Sequence, residues 1–299
     1  MSSDRYNGGF GSIPHLKGSK KTTDKDISVD DNYHRLACDA QAPNPKKNIY
    51  NWHLQEKLDG CCVGVIRKGE KLTFVSRNGY RCEGSDYPHL QLFHHWAQEH
   101  KKRFLNILQD GEEAWGEWIL VAHTTQYTLN QEPYVLFEIR KKKYGKKGGY
   151  FDSMPFDKVR LKGSDELEVA DNKTFGQRTL VDTAKLGGFN LPHTKLRRKA
   201  PSISEALKVF PAQGYHGAHG PIEGFVWMVE EIKWADHKLL CIPRMRAKFV
   251  KPEKEDGVLL PERQSPWSAY IINQIKHQPT LDWINSLPPN ILSRLNIPS

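Results

Sequence analysis

Apolar residues follow two different periods along this chain, and each period predicts one kind of element. Residues 61–66 and 72–75 are apolar, β-prone runs on either side of a polar segment, 67–71, that contains a glycine. This pattern is typical of an antiparallel hairpin with a polar turn. From Pro88 to residue 109 the apolar positions recur at helical spacing, with the proline at a typical helix start. We therefore predict a hairpin followed by helix.

Further strand-like runs indicate that the rest of the chain is mixed α and β. They occupy residues 114–121, 134–140, 222–230 and 246–250, and a short amphipathic helix is predicted at 202–210. Strands and helices do not alternate regularly, and the sequence contains no GxxxxGK[ST] pattern, so Rossmann and P-loop folds are not expected. We expect an α+β fold built on antiparallel sheet.

The two ends of the chain differ in composition from its middle. Residues 1–49 are rich in Gly, Ser, Lys, Asp and Pro, which predicts an N-terminal arm with little regular structure. Beyond Pro266 the apolar spacing suits two or three short helices broken by prolines. We expect one principal domain over residues 1–252, which includes the arm at 1–49, and a small helical C-terminal extension over residues 253–299.

Composition narrows the class of protein. Of the 299 residues, 38% are hydrophobic and 26% are charged, which excludes a wholly disordered chain. No run approaches the ~18 apolar residues of a membrane span, and the first residues lack the apolar core of a signal peptide. The five cysteines are odd in number and two are adjacent, which does not suit a disulfide framework. A cytoplasmic protein without membrane contacts is expected.

Basic residues exceed acidic residues by 44 − 35 = 9, and an excess of this size favours polyanionic partners. The excess is concentrated at residues 140–147, where Tyr and Gly interrupt a run of cations. One interpretation of this run is a solvated hairpin tip. The other is a loop that contacts RNA phosphates through Lys141, Lys142, Lys143, Lys146 and Lys147.

Candidate chemistry begins at Lys57, within the segment Gln55-Glu56-Lys57-Leu58-Asp59-Gly60. A lysine is a nucleophile only when deprotonated, so partial burial or neighbouring cations must lower its pKa. Arg77, Arg246 and Lys248 are candidates for those cations. In the alternative interpretation Lys57 is an exposed cation at a strand end, and the Asp-Gly pair after it is a turn.

Two glutamates, Glu117 and Glu223, lie in segments that are otherwise apolar, 115–119 and 222–227. A carboxylate in such a strand is costly unless it binds a cation, a metal or a hydroxyl. Each glutamate alone is compatible with a salt bridge at a strand end. Their occurrence in a fixed order with Lys57 indicates one shared site.

This ordered set resembles the motifs of the covalent nucleotidyltransferase superfamily, and it is most similar to stand-alone ATP-dependent RNA ligases of the phage and bacterial type. Motif I resembles Lys57-Leu58-Asp59-Gly60, motif Ia resembles Ser76-Arg77-Asn78-Gly79 and motif III resembles Gly116-Glu117-Trp118. Motif IIIa resembles residues 134–139, with Glu138 where the family usually has aspartate, and motif IV resembles Glu223-Gly224-Phe225-Val226. Motif V is similar to residues 246–248 or 248–251, so Lys248 belongs to it either way, while Arg246 and Lys251 compete for the second position.

The resemblance implies an antiparallel-sheet nucleotidyltransferase fold, ATP with Mg²⁺ or Mn²⁺, and the joining of 5′-phosphate and 3′-OH RNA ends in a bacterial or phage-infected cytosol. It implies that Lys57 carries AMP and that Lys248 and Arg77 are further catalytic residues. Metal ligands implied by it are Glu223 and Glu138. Phe137 would stack on adenine, Gln55 would contact the purine edge, and Arg77 and Glu117 would hold the ribose. The implied ATP-binding residues are Gln55, Glu56, Asp59, Gly60, Arg77, Glu117, Phe137, Glu223, Arg246, Lys248 and Lys251.

Two kinds of alternative stay open. A minimal DNA ligase or a capping-type guanylyltransferase shares these motifs, but such enzymes usually add an OB domain of ~80 or more residues, whereas 299 − 251 = 48 residues follow Lys251. An alternative of another class is a catalytically inactive, ligase-like RNA-binding protein, although the motif residues are all present. Also open are the RNA that is joined and whether a kinase or phosphatase partner prepares its ends.

Overall fold

The computed structural model describes residues 6, 9–21, 26–38, 49–145, 148–158, 172–197, 199–235, 238–254, 257–262, 265–295 and 297. The α-helices in these ranges are α1 (Asp31–Cys38), α2 (Pro88–Glu99), α3 (Lys101–Ile107), α4 (Leu180–Gly187), α5 (Ile203–Val209), α6 (Gln278–Ser286) and α7 (Pro289–Leu292). The strands are β1 (Ile49–Lys57), β2 (Cys61–Lys68), β3 (Lys71–Ser76), β4 (Glu112–Trp118), β5 (Thr128–Leu129), β6 (Tyr134–Gly145), β7 (Gly148–Ser153), β8 (Thr194–Arg197), β9 (Gly224–Ala235), β10 (Lys238–Val250) and β11 (Gln274–Ile275).

One half of the fold is a five-stranded antiparallel sheet with the strand order β3-β2-β4-β6-β7. Strands β2 and β3 form the predicted hairpin, in which Lys68 lies opposite Lys71. The register of β4 against β6 shifts between Trp115 and Gly116, so Phe137 is an extra residue in a β-bulge. A bulge changes the direction of the side chain of the extra residue, which here is Phe137 of motif IIIa.

The other half is a four-stranded antiparallel sheet with the order β10-β9-β1-β8. Its strand β1 was not predicted from the apolar pattern, because one face of the strand carries buried polar side chains, Asn51, His53 and Gln55. Alternation of apolar and polar residues identifies a strand whose polar face is exposed to water. The polar face of β1 is instead buried against the other sheet.

Two hydrophobic clusters hold these sheets in place. The larger cluster lies between the five-stranded sheet and helices α2 to α4, and its largest fully buried rings belong to Trp96, Trp118, Tyr134 and Tyr270. Full burial of one such side chain contributes about 1.5–3 kcal/mol. The smaller cluster covers the outer face of the four-stranded sheet and includes Trp227. Each sheet therefore buries one face in its own core and keeps its other face for the cleft between them.

The helix predicted from residue 88 is divided at His100, whose backbone leaves helical geometry and connects α2 to α3. The helix predicted at 202–210 is confirmed as α5, which begins with a capping box between Ser202 and Glu205. The N-terminal arm contains one helix, α1, among its described residues. Part of the arm also follows the edge of β10, where Lys248 donates its backbone N–H to Pro14 at 2.8 Å.

The C-terminal segment is part of the main core. Strand β11 pairs in parallel with β5, an exception to the otherwise antiparallel sheets, and Tyr270, Trp283 and Ile284 belong to the larger cluster. The helices that follow, α6 and α7, are each preceded by a proline or begin with one within their first turn. Residues 266–295 thus cover the core face of the five-stranded sheet.

No helix in the described part of the chain is long and apolar enough to cross a membrane. All five cysteines lie in the described residues, and each is a free thiol. The mixed α+β architecture with antiparallel sheets agrees with the sequence-based expectation.

Candidate active site

The candidate site lies between the facing surfaces of the two sheets. Because strand side chains alternate between faces, Gln55 and Lys57 point to the same side of β1. Val226 pairs with both Gln55 and Lys248, so the side chains of these three residues stand in one row across β1, β9 and β10. In the neighbouring row Gly224 lies between Lys57 and Val250. Glycine at this point lets β10 approach closely, because a Cβ here would clash with the backbone carbonyl of Phe249.

Lys57 is held by a carboxylate. Its Nζ lies 2.5 Å from Oε2 of Glu223, and the two side chains are 21% and 11% exposed. Burial alone would lower the pKa of Lys57, but the negative charges of Glu223 and Glu117 raise it further than burial lowers it. The lysine is therefore protonated in this structure, and the expectation that neighbouring cations lower its pKa is wrong for this state.

Glu117 contributes the second carboxylate. Its Oε1 accepts the backbone N–H of Gly60 at 3.1 Å, which ties β4 to the loop after the lysine. Burial raises the pKa of Glu117 from 4.5 to about 7, against the opposing effect of Lys57. Glu117 and Glu223 therefore both lie near the amine of Lys57, which interacts with two carboxylates.

Asp59 is a positioning residue. Its Oδ2 accepts the backbone N–H groups of Thr124 and Thr125 at 3.0 and 2.7 Å, and its own N–H donates to the Tyr127 hydroxyl. A carboxylate that accepts two backbone N–H bonds fixes a loop. The Asp of motif I thus orients the segment after β4, and its contact with ATP stays a prediction.

Glu56 points away from the cleft. It follows Gln55 on the opposite face of β1, where its Oε2 accepts the N–H of Tyr215 at 2.9 Å. Burial raises the pKa of Glu56 from 4.5 to about 7. The structure does not place Glu56 with the other predicted ATP-binding residues.

Gln55 is fully buried, and its amide nitrogen has no hydrogen-bond partner among the described residues. An unpaired buried donor costs about 1–3 kcal/mol, so its presence calls for an explanation. The side chain shares the face and the row that lead from Lys57 to Lys248. A ligand with an acceptor at this point would satisfy it.

Lys248 and Arg246 project from the same face of β10. Burial and the nearby charge of Lys57 lower the pKa of Lys248. Arg246 crosses the cleft and forms an ion pair with Oε2 of Glu138, whose Oε1 accepts the hydroxyl of Ser153 at 2.5 Å. Both oxygens of Glu138 contact protein groups, so Glu138 joins the two sheets in this structure, and its role as a metal ligand stays a prediction.

Phe137 lies beneath the N-terminal arm. Its ring meets Phe10 edge-on at 5.2 Å, and Phe10 also contacts Trp115 at 5.3 Å. The guanidinium of Arg246 lies 5.9 Å from the Phe137 ring. One edge of the expected base-stacking ring is therefore covered by the arm.

Two other predicted residues lie at the rim. Arg77 is exposed in the turn after β3, where Gly79 has a φ of +84° and donates its N–H to Ser76. Its charge acts on Cys61, Cys62 and Lys248, which places it near the cleft. Lys251 is half-buried, and its N–H donates to the carbonyl of Glu223 at 3.0 Å. The choice between Arg246 and Lys251 for the second position of motif V stays a prediction.

The site offers only a few protein ligands for a divalent cation. The described residues contain no group of three or more His, Cys, Asp or Glu side chains that could hold a metal. Mg²⁺ is commonly held by one or two carboxylates together with substrate phosphates and water. Glu223, aided by Glu117, meets that requirement.

The basic run extends along the β6–β7 hairpin. Lys141, Lys142 and Lys143 are half-buried on β6, and Tyr144 is exposed. Lys146 and Lys147 lie outside the described residues. The prediction of a hairpin at this run is confirmed by the pairing of β6 with β7.

Several residues of the site did not emerge from the sequence. Phe10, Ser153 and Tyr127 are distant in sequence from the motifs they contact, and none lies in a pattern that signals chemistry. The contacts of Phe10 and Ser153 depend on which faces meet across the cleft.

Two solved structures of an RNA ligase from Naegleria gruberi are similar to this chain. The first, a lysine-to-alanine mutant with ATP and Mn, is 14% identical, with 69% of this chain and 51% of that chain covered and a TM-score of 0.37. The second, the ligase with pyrophosphate, is 16% identical, with 67% of this chain and 50% of that chain covered and a TM-score of 0.36. This chain thus spans about half the length of the solved chains it matches. No curated protein matches. The family described as RNA ligase matches residues 51–250, two thirds of the chain. That span runs from β1 to the end of β10 and contains every motif of the cleft, so the chain belongs to the RNA ligase family.

Proposed function

We propose that this protein is an ATP-dependent RNA ligase that works through a covalent lysyl-AMP. The observation that carries the proposal is the amine of Lys57, held between Glu223 and Glu117 in a cleft beside Lys248. The amine attacks the α-phosphorus of ATP, an N–P bond forms, and the bond to the β-phosphate oxygen breaks to release pyrophosphate. AMP then passes to an RNA 5′-phosphate, and a 3′-OH displaces it to form the phosphodiester.

The charge state of Lys57 explains why the nucleophile is inactive before substrate binds. A protonated amine has no lone pair for attack, and the two carboxylates favour the protonated form. A divalent cation, Mg²⁺ or Mn²⁺, bound by Glu223 would neutralise that carboxylate, lower the pKa of Lys57 and offset phosphate charge. Glu223 then has two roles, as partner of the resting lysine and as metal ligand.

Lys248 is the residue that meets the phosphates. It stands one strand beyond Glu223 on the same face as Lys57, and its lowered pKa reflects a partly desolvated cation. A fixed cation in such a place stabilises charge that develops on the α-phosphate during in-line transfer. Arg77, at the rim, is positioned to hold the ribose or the outer phosphates.

The adenosine would occupy the deeper part of the cleft. Phe137 provides a ring for stacking, and the unpaired amide of Gln55 provides a donor to the purine edge. Base stacking on an aromatic ring contributes about 1–3 kcal/mol. Arg246, paired with Glu138, joins the two sheets next to Phe137. Glu56 and Asp59 contribute through the loops they fix.

The RNA partner is proposed from the family and from the basic hairpin. We place the physiological reaction in the cytoplasm, where free thiols persist. A kinase or phosphatase that supplies matching ends is a proposed partner, because the chemistry consumes a 5′-phosphate and a 3′-OH. The C-terminal helices cover the core face of the sheet and act as a structural element of the same domain.

The test is labelling with α-³²P-ATP and Mg²⁺ or Mn²⁺, followed by a denaturing gel, for the wild type and Lys57→Ala. The expected result is a protein-bound label that Lys57→Ala lacks and that a 5′-phosphorylated RNA discharges. GTP in place of ATP tests the guanylyltransferase alternative, and 5′-phosphorylated DNA tests the DNA ligase alternative. No label from ATP or GTP, with pre-existing adenylylation excluded by intact mass, overturns the proposal in favour of an inactive RNA-binding protein.

A further inference from the structure

One face of the β6–β7 hairpin carries cations and aromatic rings side by side. Side chains two residues apart share a face of a strand, and residues directly opposite on the paired strand share it too. Lys142 lies opposite Phe151, and Arg140 lies opposite Ser153. The members of this face, hereafter the hairpin ladder, are Glu138, Arg140, Lys142 and Tyr144 on β6 with Phe151 on β7.

In the inner part of the ladder, the positive charge of Arg140 is neutralised by neighbouring protein groups. The Arg140 guanidinium lies 3.7 Å from the Phe151 ring centroid and 4.9 Å from that of Trp115. Its Nε donates to Oε2 of Glu113 at 2.8 Å. Arg140 therefore has a structural role: it packs against the rings of Phe151 and Trp115, and Glu113 balances its charge.

The outer part is open. Nζ of Lys142 lies 5.7 Å from the ring centroid of Tyr144 and 6.0 Å from that of Phe151. Among the described residues no carboxylate lies within ion-pair distance of Lys142. The Tyr144 side chain is 84% exposed, far more than a tyrosine on a packed strand. A cation and an aromatic face are thus presented to solvent side by side.

The ladder leads into the candidate active site. Glu138, its innermost member, forms the ion pair with Arg246 across the cleft. At roughly 3.3 Å per strand residue, the six steps from Glu138 to Tyr144 span about 20 Å. The N-terminal arm crosses this face at Arg140, whose guanidinium donates to the backbone carbonyls of Gly9 and Phe10 at 3.2 and 3.5 Å. A chain that touches Tyr144 therefore reaches the cleft along the hairpin and over the arm.

The opposite face of the hairpin belongs to a different surface. Lys141 and Lys143 alternate with the ladder and lie on the face of Ile139, which packs in the larger hydrophobic cluster. Tyr150 lies directly opposite Lys143 on that face and is 57% exposed. It offers an aromatic ring of the same type that does not lead to the cleft, which makes it a matched control.

We propose that Lys142 and Tyr144 form a docking track that guides a single-stranded RNA end into the cleft. This inference rests on the proposed function and adds to it the form of the RNA and the face that receives it. Tyr144 stacks on a base, and Lys142 contacts the adjoining phosphate. Every base has a π face, so such a track tolerates any sequence. A base must leave its helix to reach the ring, which selects single strands over duplex.

The experiment measures binding of a 5′-phosphorylated, 3′-labelled single-stranded RNA dodecamer by fluorescence anisotropy without ATP. Tyr144→Ala is expected to raise Kd about fivefold or more, the loss of one stacked base. Lys142→Ala is expected to reduce the slope of log K against log salt by about 0.7, the value for one phosphate contact on a single strand. Tyr150→Ala, and Lys102→Ala on α3, are expected to stay within about twofold of the wild type.

Equal losses for Tyr144→Ala and Tyr150→Ala would overturn the track, as would unchanged binding by Tyr144→Ala. A blunt RNA duplex whose binding depends on Tyr144 as strongly as that of the single strand would overturn the selection for single strands. Labelling by ATP, measured in parallel, separates the two proposals. If Tyr144→Ala is labelled normally yet binds RNA like the wild type, the track alone fails. If the wild type is never labelled but the Tyr144 effect holds, the ligase proposal alone fails.

Discussion

Glu223 holds Lys57 as a charged pair at the end of β1, although 166 positions separate the two residues in the chain. The pair forms because β9 begins directly beside the end of β1, with Lys57 opposite Gly224. The nucleophile and the carboxylate that restrains it are therefore fixed by one strand pairing. This arrangement favours the protonated lysine until another cation neutralises the charge of Glu223.

Glu223→Gln is expected to change both the rate of self-adenylylation and its pH dependence. Removal of the negative charge lowers the pKa of Lys57, because the charge of Glu223 raises it. The pH of half-maximal labelling should therefore shift to lower pH, while loss of a metal ligand lowers the maximal rate. The measurement is the rate of labelling against pH at a fixed, subsaturating Mn²⁺ concentration, where the wild-type Glu223 still carries its charge. Glu223→Asp, which keeps the charge, should retain the wild-type midpoint, and an alkaline shift for Glu223→Gln would contradict the assignment.

Glu56→Gln is expected to stabilise the protein at alkaline pH. The pKa of Glu56 is raised from 4.5 to about 7 by burial, so the folded state binds this proton more tightly than the unfolded state. Stability is then lost as pH rises from about 4.5 to about 7. Glutamine avoids that loss, which amounts to at most about 3 kcal/mol above pH 7.

Thermal unfolding at pH 5 and pH 8 tests this expectation. The melting temperature of Glu56→Gln should exceed that of the wild type at pH 8 and approach it at pH 5. Glu99→Gln, at an exposed position on α2, is the control and should change little at either pH. A Glu56→Gln variant that is less stable at pH 8 would show that Glu56 is charged and compensated.

Gly214→Ala is expected to destabilise the fold by more than its backbone conformation alone requires. Gly214 has a φ of +66°, and a Cβ there would lie within about 2.1 Å of the Glu56 carboxylate. Gly84 has nearly the same φ, +65°, but open space around it. Gly84→Ala should therefore cost about 1 kcal/mol, whereas Gly214→Ala should cost about 2–4 kcal/mol. Urea unfolding of the two variants compares them, and equal losses would refute the close approach.

Arg246 and Glu138 are expected to be strongly coupled. Removal of either partner leaves a mostly buried charge unpaired, so Arg246→Met and Glu138→Gln should each cost about 3 kcal/mol. The double variant should recover part of this loss, with a coupling energy of about 2 kcal/mol in a double-mutant cycle. The free energy of unfolding in urea provides all four values. Additive losses would mean that the two sheets are not joined by this pair.

Much of the site was predictable because the chemistry restricts residue types within strands. Glu117 and Glu223 are charged residues in otherwise apolar segments, and such positions are costly without a function. Lys57 and Lys248 followed from the order of the motifs. The β2–β3 hairpin and α5 followed from local pattern and turn residues alone. Strand β1 did not, since its polar face is buried against a second sheet.

The sequence by itself determined the family and the order of the chemical groups, because each motif is a short local pattern. The tertiary structure decided the charge state of Lys57, the separation of Gln55 from Glu56 onto opposite faces, the pairing of Arg246 with Glu138, and the cover of Phe137 by Phe10. Each of these depends on which strand faces meet across the cleft and on how far water is excluded there. Burial and long-range pairing set pKa values and contacts, and neither is a property of a local sequence pattern.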